Sequence, residues 1–104
     1  MSTVELTEIL VKVLRASQER KIDWKVYIGA SGGYSAKLGS TIMRCLNNNG
    51  IHQFIVTDVN GAVLQKSLAL RDSEKVGQIL ELAKRKALNI DARLDELNRS
   101  LDEL

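Results

Sequence analysis

A chain of 104 residues is long enough for one domain with an extension and too short for two ordinary domains. Its formal net charge of +2 is small, and its one cysteine, Cys45, excludes an internal disulfide. The longest apolar run is far shorter than a membrane span and the N-terminus lacks a signal-peptide core, so we expect a cytoplasmic protein.

The charge is unevenly distributed along the chain. Residues 1–71 carry nine Lys/Arg against five Asp/Glu, whereas residues 72–104 carry six against eight. A mildly basic body joined to an acidic tail is compatible with an anionic partner, and it is equally compatible with an ordinary solvated domain.

The first two elements follow from changes in apolar period. Ser2 and Glu5 form a capping-box pattern, and apolar residues at helical spacing predict a helix to about Gln18. From Ile22 to Ala30 apolar and polar residues alternate, which predicts a strand with one buried face.

A glycine-rich turn, Gly29–Ser35, comes next, and the spacing after it predicts a second helix that ends at Gly50. A second strand is expected over His52–Val59 and a third over Ala62–Leu68. The dipeptide Asn60-Gly61 between them is typical of a two-residue hairpin turn.

The last third, Ser73–Leu104, predicts one continuous helix with apolar residues on the a and d positions of a heptad repeat. The apolar stripe is broad before Ile90, as in a helix packed on a domain, and narrows after it to a seam suited to a coiled coil. The seam residues after the change, which we expect to mediate self-association, are Ile90, Leu94, Leu97, Leu101 and Leu104.

The predicted architecture is therefore a mixed α/β fold in the order α-β-α-β-β-α. Residues 1–72 would form a small domain with a three-stranded mixed sheet, its first two strands parallel, and residues 73–104 an oligomerisation helix. Three strands make a small core, so pairing through the C-terminal helix would add the missing burial.

The glycine-rich turn is the candidate binding site. A turn between a strand and a helix start offers unpaired backbone N–H groups and a favourable helix dipole to an anion. The alternative is a tight turn that needs small residues only for packing. The residues expected to bind a phosphate group are Gly29, Ser31, Gly32, Gly33, Tyr34, Ser35 and Lys37.

Residues 29–33 also fit the Gly-x-Ser-x-Gly pattern of a nucleophilic serine. The only histidine, His52, would lie about 20 Å from Ser31 if the two strands were parallel, so we expect no catalytic pair and no enzyme. No spacing of ligands predicts a metal site, and no cofactor is expected.

Two stretches resemble known families. Lys25–Arg71, read as a strand, a turn, a helix ending in glycine and a second strand, resembles part of the Alba family of small nucleic-acid-binding proteins. That resemblance implies a dimer that binds DNA or RNA through a basic face. Residues 73–104, predicted helical, depart from the C-terminal hairpin of that family. Phe54–Lys66 is similar to the hairpin of roadblock-type scaffold proteins, and we assign the chain to neither family.

Taken together, the sequence predicts a non-enzymatic, homo-oligomeric binding module. The first expectation is a phosphate-bearing ligand, nucleic acid or nucleotide, at the glycine-rich turn. The alternative is a protein–protein scaffold that acts through its C-terminal coiled coil.

Overall fold

The computed structural model describes residues 5–28, 33–67 and 71–104. Within them, five strands form one sheet in sequential order, and every neighbouring pair is antiparallel. The mixed α/β class is confirmed, whereas the three-stranded sheet with a parallel pair is wrong. The elements are α1 Leu6–Gln18, β1 Lys25–Val26, β2 Tyr34–Leu38, β3 Thr41–Asn48, β4 Ile51–Asp58, β5 Val63–Lys66, α2 Ser73–Ala87 and α3 Ile90–Asp102.

The largest error of the sequence interpretation is the second helix, because that segment forms β2 and β3 instead. Gly39 at φ +60° turns the chain back, and the Thr41 hydroxyl donates a hydrogen bond to the Leu38 carbonyl oxygen at 2.9 Å. The helix on which the Alba resemblance depended therefore does not form.

Two turns close the remaining hairpins. Asn49 and Gly50, both at positive φ, join β3 to β4, where a helix end had been predicted. The hairpin between β4 and β5 is confirmed, but its loop is longer than the expected two residues. There the Asp58 carboxylate accepts hydrogen bonds from the backbone N–H groups of Asn60 and Ala62.

The N-terminal elements agree in part with the sequence. The first helix is confirmed, with Glu5 at its N-cap position, and the predicted cap at Ser2 lies outside the described residues. The first strand is much shorter than expected, but Ile22 and Trp24 are buried as their alternation predicted. Trp24 donates its indole N–H to the Ser17 hydroxyl at 3.0 Å, which satisfies both buried polar groups.

The core lies on one face of the sheet. Helix α2 packs against β1, β2, β3 and β4, and α1 packs against α2. Inward residues of the sheet such as Met43, Cys45 and Phe54 belong to the same buried cluster as Val76 and Ile79 of α2.

The predicted continuous C-terminal helix is broken at Leu88 and Asn89. Asn89 adopts a left-handed conformation (φ 53°, ψ 44°), which ends α2 and starts α3 in a new direction. Just beyond the break, the Asp91 carboxylate pairs with Arg85 at 2.9 Å and with Arg20 at 3.2 Å. These contacts connect the start of α3 to the body of the domain.

The overall shape is elongated. The principal extents are 61 × 28 × 27 Å and the radius of gyration is 15.4 Å. A compact chain of this length would have a radius of gyration of about 13 Å. A 13-residue helix such as α3 is about 20 Å long, so its projection from the body accounts for the elongation.

Candidate interaction surfaces

Gly33 has a structural reason to be glycine. Its φ is +95°, and an added Cβ would lie 2.4 Å from the Cys45 carbonyl oxygen and 2.8 Å from the Leu46 Cβ. No side chain fits there without moving the backbone of β3. Packing against β3 therefore requires glycine at this position, whether or not the turn also binds a ligand.

The predicted anion-binding residues do not converge on one point. Gly29, Ser31 and Gly32 lie outside the described residues. Tyr34, Ser35 and Lys37 belong to β2, where successive side chains alternate between faces. Tyr34 faces the helices, whereas Ser35 and Lys37 lie on the opposite face. Because no helix begins at Ser35, the expected helix N-terminus is also missing as a source of N–H donors.

A polar cleft of about 410 Å³ lies between the sheet and α2. It is lined by Gly33, Tyr34, Asn47, His52, Gly77, Leu80, Glu81 and Lys84. Burial, with smaller contributions from Cys45 and Glu81, raises the pKa of the Tyr34 phenol above its usual value. In the lining of the cleft the Tyr34 phenol is accompanied by one acidic side chain, Glu81, and one basic side chain, Lys84.

The position of His52 corrects the geometric argument against a serine hydrolase. The sheet is antiparallel, and Gly33, two residues after Ser31, lines the same cleft as His52. The His52 Nδ1 lies 3.3 Å from the Ser73 carbonyl oxygen, and the ring rests on Gly77, where a Cβ would be 2.8 Å from Nδ1. Ser31 itself lies outside the described residues. That the protein is not an enzyme therefore stays a prediction, but it no longer rests on the separation of Ser31 and His52 expected for parallel strands.

The face of the sheet opposite the helices carries a row of residues that includes three cations. The strand register aligns Lys25, Ser35, Arg44, Ile55 and Lys66 on this face, one residue from each strand. None of the described strand residues whose side chains share this face is acidic. We call it the open face. Of the residues on this face, Ser35 and Lys37 belong to the set predicted to bind a phosphate group.

An aromatic residue and a cation are stacked on the open face. The Arg44 guanidinium lies 3.7 Å from the centre of the Tyr27 ring, a cation–π distance. The Arg44 Nε is buried and, within the described part of the chain, has no hydrogen-bond partner. Alternation along β3 would have indicated this face if the segment had been recognised as a strand.

The residues of the heptad seam differ in burial on the two sides of Asn89. Before the break, Val76 and Ala83 are fully buried on the domain. After it, α3 has no buried residue. Three exposed leucines run along one side of α3 and a fourth lies just beyond its end. We call this set the leucine stripe: Leu94 (54 % exposed), Leu97 (53 %), Leu101 (56 %) and Leu104 (98 %).

Comparison of the chain with protein-family models, with curated proteins and with solved structures found no significant match. Among the described helices, none combines the length and the apolar character that crossing a bilayer requires. In the same residues, no group of three or more His, Cys, Asp or Glu side chains is placed to hold a metal ion.

Proposed function

We propose that this protein is a non-enzymatic interaction module that self-associates through α3, with the leucine stripe as the contact surface. The observation that carries the proposal is the stripe itself: four exposed leucines at a and d spacing, three on α3 and one just beyond its end, in a helix with no buried residue. Burying apolar surface contributes roughly 25 cal/mol per Å², so four exposed leucines leave a substantial gain unrealised in the single chain.

The partner that best fits the stripe is a second copy of α3. A strict a and d seam fits a helix with the same seam, because each apolar side chain then inserts between residues of the facing helix. The remaining positions of α3 are mainly charged or polar, including Asp95, Glu96 and Arg99, and stay in solvent in such a pair. Ile90, which is partly buried near the break, would be the first seam residue.

The fold weakens one ion pair that a parallel coiled coil of two continuous helices would form between the chains. Lys86 of one chain and Asp91 of the other would face each other in a continuous coiled coil. Asp91, however, already pairs with Arg20 and Arg85 of its own chain. Recognition in the dimer therefore depends on the apolar seam rather than on this charge pair.

Sedimentation velocity of the full chain tests the proposal. The wild type should sediment as a dimer or larger oligomer at micromolar concentration. Leu94→Asp with Leu97→Asp should sediment as a monomer, because charges buried in an apolar seam cost several kcal/mol. Since α3 contributes nothing to the buried core, this variant should keep the circular dichroism spectrum of the folded body.

A matched control is Arg99→Asp, which changes the charge by the same amount on the side of the helix away from the stripe. This control should keep the mass of the wild type. A monomeric wild type, or equal masses for the wild type and the stripe variant, would contradict the proposal.

A further inference from the structure

We propose that the open face of the sheet binds single-stranded nucleic acid. The inference goes beyond self-association, because none of the residues that carry it belongs to α3. It also relocates the phosphate site expected from the sequence, retaining only Ser35 and Lys37 from the original set.

The first argument is the arrangement of charge. Lys25 lies on β1 and Lys66 on β5, with Arg44 between them in the same register, and Lys37 lies one pair further along β2. Neighbouring strands are about 4.8 Å apart, so the row is about 19 Å wide. The side chains of Lys25, Lys37 and Lys66 are exposed. A row of exposed cations unopposed by strand carboxylates attracts a polyanion whose phosphates repeat along a chain.

The lysines are also largely free to contact phosphates. Among the described residues Lys25 forms an ion pair with Asp23 alone, at 3.7 Å, and both side chains are about three-quarters exposed. Such an exposed pair contributes little and is readily replaced by a stronger contact. Lys37 and Lys66 take part in none of the ion pairs found among the described residues.

The second argument is the stack at the centre of the face. A guanidinium plane held over the Tyr27 ring is a preformed flat surface on which an unpaired base can stack. The need for an unpaired base favours a single strand, because the bases of a duplex are already stacked and are not accessible to a flat sheet.

The third argument concerns the apolar part of the face. Two partly buried isoleucines lie on it: Ile55 within the same row as Arg44, and Ile42 two residues from Arg44 along β3. Partly exposed aliphatic side chains between cations suit the faces of bases and sugars. An acidic peptide would use the lysines but would leave the stacked pair of Tyr27 and Arg44 without a role.

Fluorescence anisotropy with a labelled 20-nucleotide oligothymidylate tests the proposal. The affinity of the wild type should fall steeply with salt. Lys37→Glu with Lys66→Glu should weaken binding at low salt at least tenfold. It should also reduce the slope of log K against log salt by about 1.4, or 0.7 for each of two lost phosphate contacts.

The matched control is Lys12→Glu with Lys86→Glu, an equal charge change at exposed sites on the helices. This control should bind within about threefold of the wild type. Tyr27→Leu should weaken binding by about fivefold to a hundredfold through lost stacking, and Tyr27→Phe should restore it. Thermal melting of each variant shows that the body is folded.

Three results would overturn the proposal. One is no binding by a folded wild type at low salt. Another is equal loss of affinity in the control and in the open-face variant, which would show general attraction of a polyanion. The last is binding of duplex DNA or heparin as tight as that of the single strand together with no effect of Tyr27→Leu.

Discussion

At the scale of single residues, burial sets the chemistry of Cys45. Its side chain lies between the sheet and α2 and is fully buried. Burial raises the pKa of this thiol from 9.0 to about 12, because the thiolate would be poorly solvated in the core. The thiol therefore behaves as a small apolar side chain at neutral pH.

The raised pKa predicts a loss of stability at alkaline pH. Below pH 9 the thiol is protonated in both states, so this group adds no pH dependence. Between pH 9 and about 12 only the unfolded chain releases the proton, so the free energy of unfolding should fall as pH rises, by up to about 1.4 kcal/mol per pH unit. Tyr34, whose pKa is also raised, should add to the same trend.

Urea unfolding of the wild type and of Cys45→Ala from pH 8 to pH 11 measures this effect. The variant creates a small cavity and should be less stable at pH 8, but its stability should decline less steeply as pH rises. Equal slopes for the two proteins would show that the thiol does not titrate differently in the folded and unfolded states.

At the scale of elements, the break between α2 and α3 depends on one residue in a left-handed conformation. A left-handed backbone costs most non-glycine residues roughly 1–2 kcal/mol, and asparagine less. The ion pairs of Asp91 that accompany the break are exposed, so each contributes at most about 1 kcal/mol. The free-energy difference between the bent and the straight arrangement of α2 and α3 is therefore small.

We expect Asn89→Ala to merge α2 and α3 into one straight helix. The left-handed backbone becomes more costly for alanine, and the contacts given up are weak. Distances between spin labels at Thr7 and Ser100 should change relative to the wild type, in a Leu94→Asp, Leu97→Asp background intended to keep the chain monomeric. Asn89→Gly should retain the wild-type distances, because glycine accepts positive φ. Wild-type distances in the alanine variant would show that other contacts fix the bend.

At the scale of the whole molecule, the buried core and the leucine stripe are separate. The core holds the sheet, α1 and α2 together. The stripe lies on a helix that contributes nothing to that core. Self-association would thus stabilise the folded chain by mass action rather than by completing its core.

Pairing of folded chains in preference to unfolded ones predicts a melting temperature that depends on concentration. Above the dissociation constant of the dimer, the wild type should gain a few degrees for each tenfold increase in concentration. Leu94→Asp with Leu97→Asp should melt at the same temperature at every concentration. Scanning fluorimetry from 1 to 100 μM measures both, and a concentration-independent wild type would count against self-association.

The sequence by itself determined the elements whose apolar period is unambiguous. The helix beginning at Leu6 and the burial of Ile22 and Trp24 follow from local spacing alone, because side-chain directions in a helix or strand are fixed by the backbone. The sequence also indicated that the last third of the chain changes near Ile90, because an apolar stripe reduced to the a and d positions is too narrow for a helix packed on a domain. That change appears as burial before Asn89 and exposure after it.

The segment after the glycine-rich turn was decided by tertiary structure. Leu38, Ile42 and Leu46 have helical spacing, yet the same stretch also alternates, so local preference does not choose between the two. Pairing with β4 chooses the strand, because it places Cys45 beside Phe54 in the core. The cation row has the same origin. Its members are far apart in sequence, and only the register of five antiparallel strands brings them onto one face.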